Sequence, residues 1–345
     1  MKASVRILIV VSNRRVRGLG YHYAQAFTEL GHEVLFHGLE DVPWLTLRGR
    51  AAYRIKRLKP FIRVTEARQR KQLVKAAADF RPALAIFMGA AGWDAALIRQ
   101  VKEMCEGRVV VLATDDPTVV PGLKSLAWLE GLGEFDTVFV PAKAAIATFY
   151  QLGAKRVATY GFSYNPKFHF PRAASGPYNA VAYLGSWGPL QEMWLDRIAA
   201  EFALRIYGWG WQHASRTSRA RACWARGEGL EADMNAAIAS SRIIFNMTRA
   251  EHGCTYSAKT LEIPACGGFM LTNWTPEQAE LFEDGKECVF YNTMDDMLDK
   301  VRYYLENEAE REKIRRAGMQ AVAPYTYKNS ATSLLKLMGI AGTER

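Results

Sequence analysis

No apolar run in the 345-residue chain comes near the roughly 20 residues needed to span a bilayer. The opening run Val5-Arg6-Ile7-Leu8-Ile9-Val10-Val11 is short, carries a charge and lacks a signal-peptide cleavage region, so it reads as the first strand of a cytoplasmic protein. Cysteine is scarce and scattered. Cys105, Cys223, Cys254, Cys266 and Cys288 form no CxxC pair and are odd in number, which argues against a zinc site or a disulfide framework and for reduced, mostly buried thiols. The absence of internal repeats and low-complexity segments argues against a solenoid or an extended linker protein.

What is present is the material of large cores. Residues of apolar type make up 49% of the chain and charged ones 23%, a globular profile, and the length exceeds what a single core usually organises, so two domains are expected. Charge is unevenly spread. Residues 1–175 hold 26 of the 45 Lys and Arg but only 14 of the 35 Asp and Glu, which leaves the second half slightly acidic. Eleven of those cations lie between Arg48 and Lys75, facing one acid, Glu66. Such a block suits a solvated helix face, a peripheral contact with an anionic membrane or an anionic acceptor, or a nucleic-acid contact, although no nucleic-acid motif accompanies it.

Short aliphatic runs alternate with helical patterns, the pattern of βαβ units around parallel sheets. Strands are predicted at Val5–Val11, Glu33–His37, Ala83–Met88, Val109–Ala113, Thr137–Val140 and Val157–Tyr160, with a helix at Tyr21–Leu30 stopped by Gly31. The rhythm breaks between Phe162 and Tyr178, then restarts at Ala180–Leu184, Leu204–Tyr207, Arg242–Met247, Phe269–Thr272 and Cys288–Tyr291. Three helices follow, at Met294–Leu305, Ala309–Val322 and Lys328–Met338. The expected organisation is a first domain over 1–165, a linker over 166–178, a second domain over 179–327 and a terminal helix over 328–345 that returns to the first domain. Two doubly wound domains set a ligand cleft between the ends of their strands.

The densest chemistry lies in Cys254-Thr-Tyr256-Ser257-Ala-Lys259-Thr260-Leu-Glu262, which opens a helix later stopped by Gly267-Gly268. Unpaired amides at a helix start, with Ser257 and Lys259, suit a diphosphate. Glu262, three residues beyond Lys259, falls on nearly the same helix face, where a carboxylate accepts from ribose hydroxyls. An ordinary capped helix with a surface Lys–Glu pair satisfies the same pattern. Gly185-Ser186-Trp187-Gly188 follows a strand, where backbone amides meet phosphates or simply turn the chain. Gly208-Trp209-Gly210-Trp211 follows the next strand, with a nucleobase pocket and aromatic core packing as competing uses of its tryptophans. In the first half, Gly18 and Gly20 open a helix, but six residues separate them from the strand and Tyr23 fills the third glycine position of a dinucleotide fingerprint. Asp115-Asp116-Pro117 follows a strand. One aspartate suits a helix cap, and the other is a candidate base for an acceptor proton, directly or through His22.

The segment Leu261-Glu-Ile-Pro-Ala-Cys-Gly-Gly-Phe-Met-Leu-Thr272, with Leu281-Phe-Glu-Asp-Gly-Lys-Glu287, Val289-Phe-Tyr291, Tyr303-Tyr304-Leu305, Glu310-Arg311, Gly318 and Tyr325-Thr-Tyr327, resembles the C-terminal domain of the CgeB-like glycosyltransferases. The likeness runs from about Ala180 to the end of the chain, and weaker matches extend it at Val181-Ala-Tyr-Leu-Gly185-Ser186-Trp187, Ile206-Tyr-Gly208, Ile244-Phe-Asn246 and, in the first half, Asp115-Asp116-Pro117. The resemblance implies a GT-B fold of two Rossmann-like domains, a nucleotide-sugar donor on the second domain, an acceptor-side loop at Gly18 and Gly20, and transfer to an acceptor hydroxyl without metal or other cofactor. The chain also lacks an Asp-x-Asp motif. It departs from the family pattern at Lys259, where an Arg is common, and at Cys254, where related retaining enzymes carry a second acid. A nucleotide-sugar epimerase or hydrolase and a non-catalytic nucleotide-sugar binder are the competing readings.

Overall fold

The computed structural model describes residues 4–11, 18–38, 59–89, 93–114, 126–174, 178–226, 230–248 and 256–340. These fall into two compact units. The first holds the described residues up to Gly161 together with those from Tyr327 onward, and the second holds the described residues from Phe162 to Thr326.

The first unit is built on a six-stranded parallel sheet in the order β2-β1-β3-β4-β5-β6, formed by β1 (Arg6–Val11), β2 (Glu33–Gly38), β3 (Leu84–Met88), β4 (Arg108–Leu112), β5 (Thr137–Val140) and β6 (Val157–Thr159). Residues along β1 and β3 are buried on both faces, which is why these strands read as unbroken aliphatic runs. One face packs α2 (Lys59–Phe80) and α3 (Ala95–Met104) around Leu73, Phe87, Trp93 and Ile98. The other packs α1 (Leu19–Glu29) against the last helix, Tyr327–Leu337, around Tyr23, Phe27, Ala331 and Leu334. Tyr23 shares a 2.8 Å hydrogen bond with Ser330 across that seam. Gly31, at φ +88°, ends α1 in the left-handed conformation expected of the residue past a helix end.

The second unit carries a five-stranded parallel sheet in the order β11-β10-β9-β7-β8, from β7 (Asn179–Leu184), β8 (Leu204–Tyr207), β9 (Ser241–Asn246), β10 (Met270–Asn273) and β11 (Val289–Tyr291). Seven α-helices and one 3-10 turn accompany these strands among the described residues: α4 (Pro189–Glu201), the 3-10 turn Trp211–His213, α5 (Arg219–Ala222), α6 (Leu230–Ala239), α7 (Ala258–Ala265), α8 (Pro276–Leu281), α9 (Met294–Glu306) and α10 (Glu308–Ala321). The strand order reverses between β7 and β9, and in open α/β sheets the carboxyl edge at such a reversal is where ligands sit. The segment from Phe162 to Ala174, where the sequence suggests a linker, belongs to this unit. Tyr164 bridges to Thr326, and Asn235 on α6 donates to the Phe168 carbonyl at 2.8 Å.

No helix among the described residues is long and apolar enough to cross a membrane. Part of the basic block, residues 48–58, lies outside the described residues. Of the cations whose side chains are described, Arg70 pairs with Asp94 and Lys75 with Asp79, so neither is presented as an unneutralised charge.

Candidate functional site

The carboxyl edge of the second sheet gathers most of the residues singled out from the sequence. Ser257 precedes α7 as its N-cap, and its amide donates to Thr260 Oγ1 at 3.3 Å. Thr260 is fully buried and donates onward to Gln278 Oε1 at 3.1 Å. Gln278, at the start of α8 and equally buried, also accepts from Thr272 at 3.3 Å and donates to the Asn273 carbonyl at 2.7 Å. Asn246, the last residue of β9, donates to Thr272 at 3.1 Å, while its carbonyl accepts from Tyr291 at 3.2 Å. The network satisfies each of these buried groups and ties the first turn of α7 to the ends of β9 and β10. The side chains of Thr260 and Asn246 are therefore engaged in seating the helix.

Lys259 and Glu262 face away from that network. Their Nζ and Oε2 atoms stand 4.0 Å apart, with the lysine side chain 28% and the glutamate 13% exposed. Glu262 has a second neighbour that sequence reasoning missed. His169, from the segment between the sheets, brings Nε2 to 3.7 Å from Glu262 Oε1. Its Nδ1 accepts the Asn165 amide at 3.0 Å, so in the neutral ring the proton sits on Nε2 and points its positive end toward the carboxylate. Asn165 makes that geometry by an Asx turn, its Oδ1 accepting the Lys167 amide at 3.0 Å. The Asn-Pro-Lys-Phe-His spacing carries this turn in the sequence, but nothing local links it to a helix 93 residues later. Tyr256 is buried. Its hydroxyl accepts the Phe162 amide at 3.2 Å and its ring meets Phe162 edge-on at 5.2 Å, which fixes the same segment against the approach to α7.

The two strand-end loops after β7 and β8 pack on each other through their backbones. Gly185 donates to the Tyr207 carbonyl at 2.9 Å and Trp187 to the Trp209 carbonyl at 2.7 Å. Gly208 has φ +144°, and a Cβ there would lie 2.2 Å from the Gly185 carbonyl oxygen, so only glycine permits this contact. Trp211 is fully buried and its indole donates to the Gly185 carbonyl at 3.0 Å, whereas Trp209 is 63% exposed. The competition between nucleobase pocket and core is thus settled for Trp211, which is core. Ser186 is exposed at the loop tip, and Trp187 is tied to the first turn of α4 by a 2.6 Å bond from its indole to Glu192. One residue earlier on α4, Gln191 is fully buried, and neither end of its amide has a hydrogen-bond partner among the described residues. A buried amide of this kind calls for a polar occupant such as water or a ligand oxygen.

In the first unit, Gly18 is the N-cap of α1, and Gly20 lies against β1, where a Cβ would approach Val11 Cγ1 to 2.4 Å. His22 is buried and stacks on Tyr327 with ring centroids 4.8 Å apart. Gly20 and His22 thus serve the packing of α1 on the sheet and on the terminal helix. Asp115, Asp116 and Cys254 lie outside the described residues. Among the described residues no group of three His, Cys, Asp or Glu side chains is arranged to hold a metal ion.

Residues 190–336 match a family model described as glycosyl transferase-like, a stretch that begins in the first turn of α4, after β7, and ends in the terminal helix. Comparison with curated proteins finds no match. Among solved structures, the fold is similar to the sucrose-phosphate synthase of Thermosynechococcus elongatus (TM-score 0.66, 11% identity, covering 96% of this chain and 98% of the other). It is also similar to HepE of Anabaena in complex with UDP-glucose (TM-score 0.65, 11% identity, 97% and 99% covered). A third likeness is to a UDP-N-acetylglucosamine 2-epimerase, so described, of Listeria monocytogenes (TM-score 0.57, 14% identity, 96% and 95% covered). Identities this low speak for the fold alone, which is GT-B. The family match and that fold together support a glycosyltransferase.

Proposed function

We propose that the chain is a CgeB-like, metal-independent glycosyltransferase that holds a nucleoside-diphosphate sugar on its second unit and transfers the sugar to an acceptor hydroxyl. The observation that carries this reading is the pairing of Lys259 and Glu262 on the accessible side of α7, within the first two turns of a helix seated by the buried Gln278 network. Departure of a nucleoside diphosphate requires stabilisation of developing negative charge. A helix start supplies amide dipoles, and Lys259 supplies a point charge, at the position where the leaving diphosphate would lie. Glu262 would accept from the ribose hydroxyls, with His169 orienting its carboxylate. The exposed Ser186, in the loop after β7, would meet the phosphates.

Asp115 or Asp116 would take the acceptor proton in an inverting reaction. Asp115→Asn and Asp116→Asn test this by turnover at unchanged donor affinity, and near wild-type rates in both would return the pair to a capping role. The anionic membrane remains the proposed neighbour of the basic block, to be tested by sedimentation with neutral and anionic vesicles.

The deciding experiment is calorimetric titration of UDP and other nucleoside diphosphates into wild type, Glu262→Gln and Lys259→Met. Loss of a charge-assisted hydrogen bond costs about 1.5–3 kcal/mol, so each variant should bind roughly tenfold to hundredfold more weakly. Lys259→Met should matter less for a nucleoside without phosphates. Folded variants that bind like wild type would remove α7 as the donor helix. The structural likeness to the Listeria protein keeps an epimerase in view, and donor consumption that needs no acceptor would favour it.

A further inference from the structure

The second unit has a cavity of about 410 Å³ away from the carboxyl edge of its sheet, where β9 begins and α7 ends. Ser241 and Arg242 of β9 line it together with Cys266 and Gly267, the residues that terminate α7. The two ends of this eight-residue helix therefore face different surroundings, Lys259 and Glu262 near its start and the cavity at its finish.

Four arginines converge on the cavity, Arg172, Arg242, Arg311 and Arg315, against two acids, Glu308 and Glu312. Arg311 and Arg315 are built into the wall. Arg311 is buried, donates to the Tyr304 carbonyl and lies 3.8 Å from Glu308. Arg315 bonds Glu312 at 2.9 Å and the Gly267 carbonyl at 3.1 Å. Arg172 and Arg242 have no carboxylate partner among the described residues. Burial holds the Arg311 guanidinium below its usual range; Glu308 and Glu312 oppose that shift, and the like charge of Arg242 adds to it. The two acids balance two of the cations, and two positive charges are left over in a concave, largely polar site. Planar guanidinium groups match the oxygens of a phosphoryl group, and a surplus of two matches its dianionic form.

We infer that this cavity is a second, separate binding site for a small phosphate monoester, held by Arg172 and Arg242 over the floor formed by Arg311 and Arg315. It does not depend on the donor reading of α7, because no residue is shared between the two.

The test titrates inorganic phosphate and glycerol 3-phosphate at low salt into wild type, the Arg172→Gln, Arg242→Gln double variant and Lys259→Met. Both arginines are exposed, so the double variant should keep the wild-type unfolding midpoint. The expected result is at least a tenfold loss of glycerol 3-phosphate affinity in the double variant, equal to about 1.4 kcal/mol, with Lys259→Met unchanged. Equal affinity of wild type and double variant, or no binding to wild type, overturns the assignment. So does a loss confined to Lys259→Met, which would move the phosphate to α7. Succinate binding more tightly than glycerol 3-phosphate would overturn the phosphate in favour of a dicarboxylate. Phosphatidate vesicles that bind through these arginines while soluble monoesters do not would overturn the small ligand in favour of a lipid headgroup.

Discussion

The helices α1 and α7 each follow a parallel strand and each begin with small residues, yet they use polar side chains in opposite ways. On α1 the imidazole of His22 is buried under Tyr327 of the terminal helix, and Gly20 is the close-contact point with Val11. On α7 the buried polar group is Thr260, which is fully paired, while Lys259 and Glu262 stay on the accessible side. A helix covered by another helix has its polar residues consumed by packing. A helix whose buried side is satisfied by a dedicated network leaves its other side accessible.

The largest expected effect breaks that network. Gln278→Leu leaves Thr260, Thr272 and the Asn273 carbonyl without their partner in a buried site, and should cost about 3–5 kcal/mol, read from the urea unfolding midpoint. Unchanged stability would mean that α7 is seated by apolar packing alone. Next in size, Glu262→Gln should leave that midpoint in place while weakening nucleoside diphosphate binding by about 1.5–3 kcal/mol. His169→Gln should produce a smaller affinity loss, because it removes the ring that stands 3.7 Å from Glu262 Oε1 and orients the carboxylate.

On α1 the balance should reverse. Gly20→Ala drives a Cβ toward Val11 and should cost about 1–2 kcal/mol of stability with no change in nucleotide affinity. A matching loss of affinity would erase the distinction between the two helices.

The smallest effect concerns Asp94, the N-cap of α3. Its carboxyl is held below the usual carboxylate range, chiefly by its hydrogen bond from Arg70, with the Leu97 amide adding to the shift against the opposing effect of burial. The folded pKa is thus lower than the unfolded one near 3.9, so the stabilisation is complete above that value and is lost as pH falls through the folded pKa. Asp94→Asn should flatten the acid limb and cost less than about 1 kcal/mol near neutral pH, less again at high salt.

Alternation of aliphatic runs with helical patterns located every strand of both sheets to within a residue or two, because a parallel strand buried on both faces leaves an uninterrupted hydrophobic signature. The spacing of Ser257, Lys259 and Glu262 marked a helix start in the same way, since periodicity and capping are local. The strand order and its reversal between β7 and β9 are not local, and they decide where a site can form. Only the folded chain distinguishes Trp211, buried beneath Gly185, from the exposed Trp209 two residues earlier, because burial depends on what the loop packs against. Only the folded chain brings His169 to Glu262 and gathers Arg172, Arg242, Arg311 and Arg315 around one cavity. Those meetings join residues dozens of positions apart. A sequence states which side chains exist and what each local stretch prefers, while packing in three dimensions decides which of them share a field.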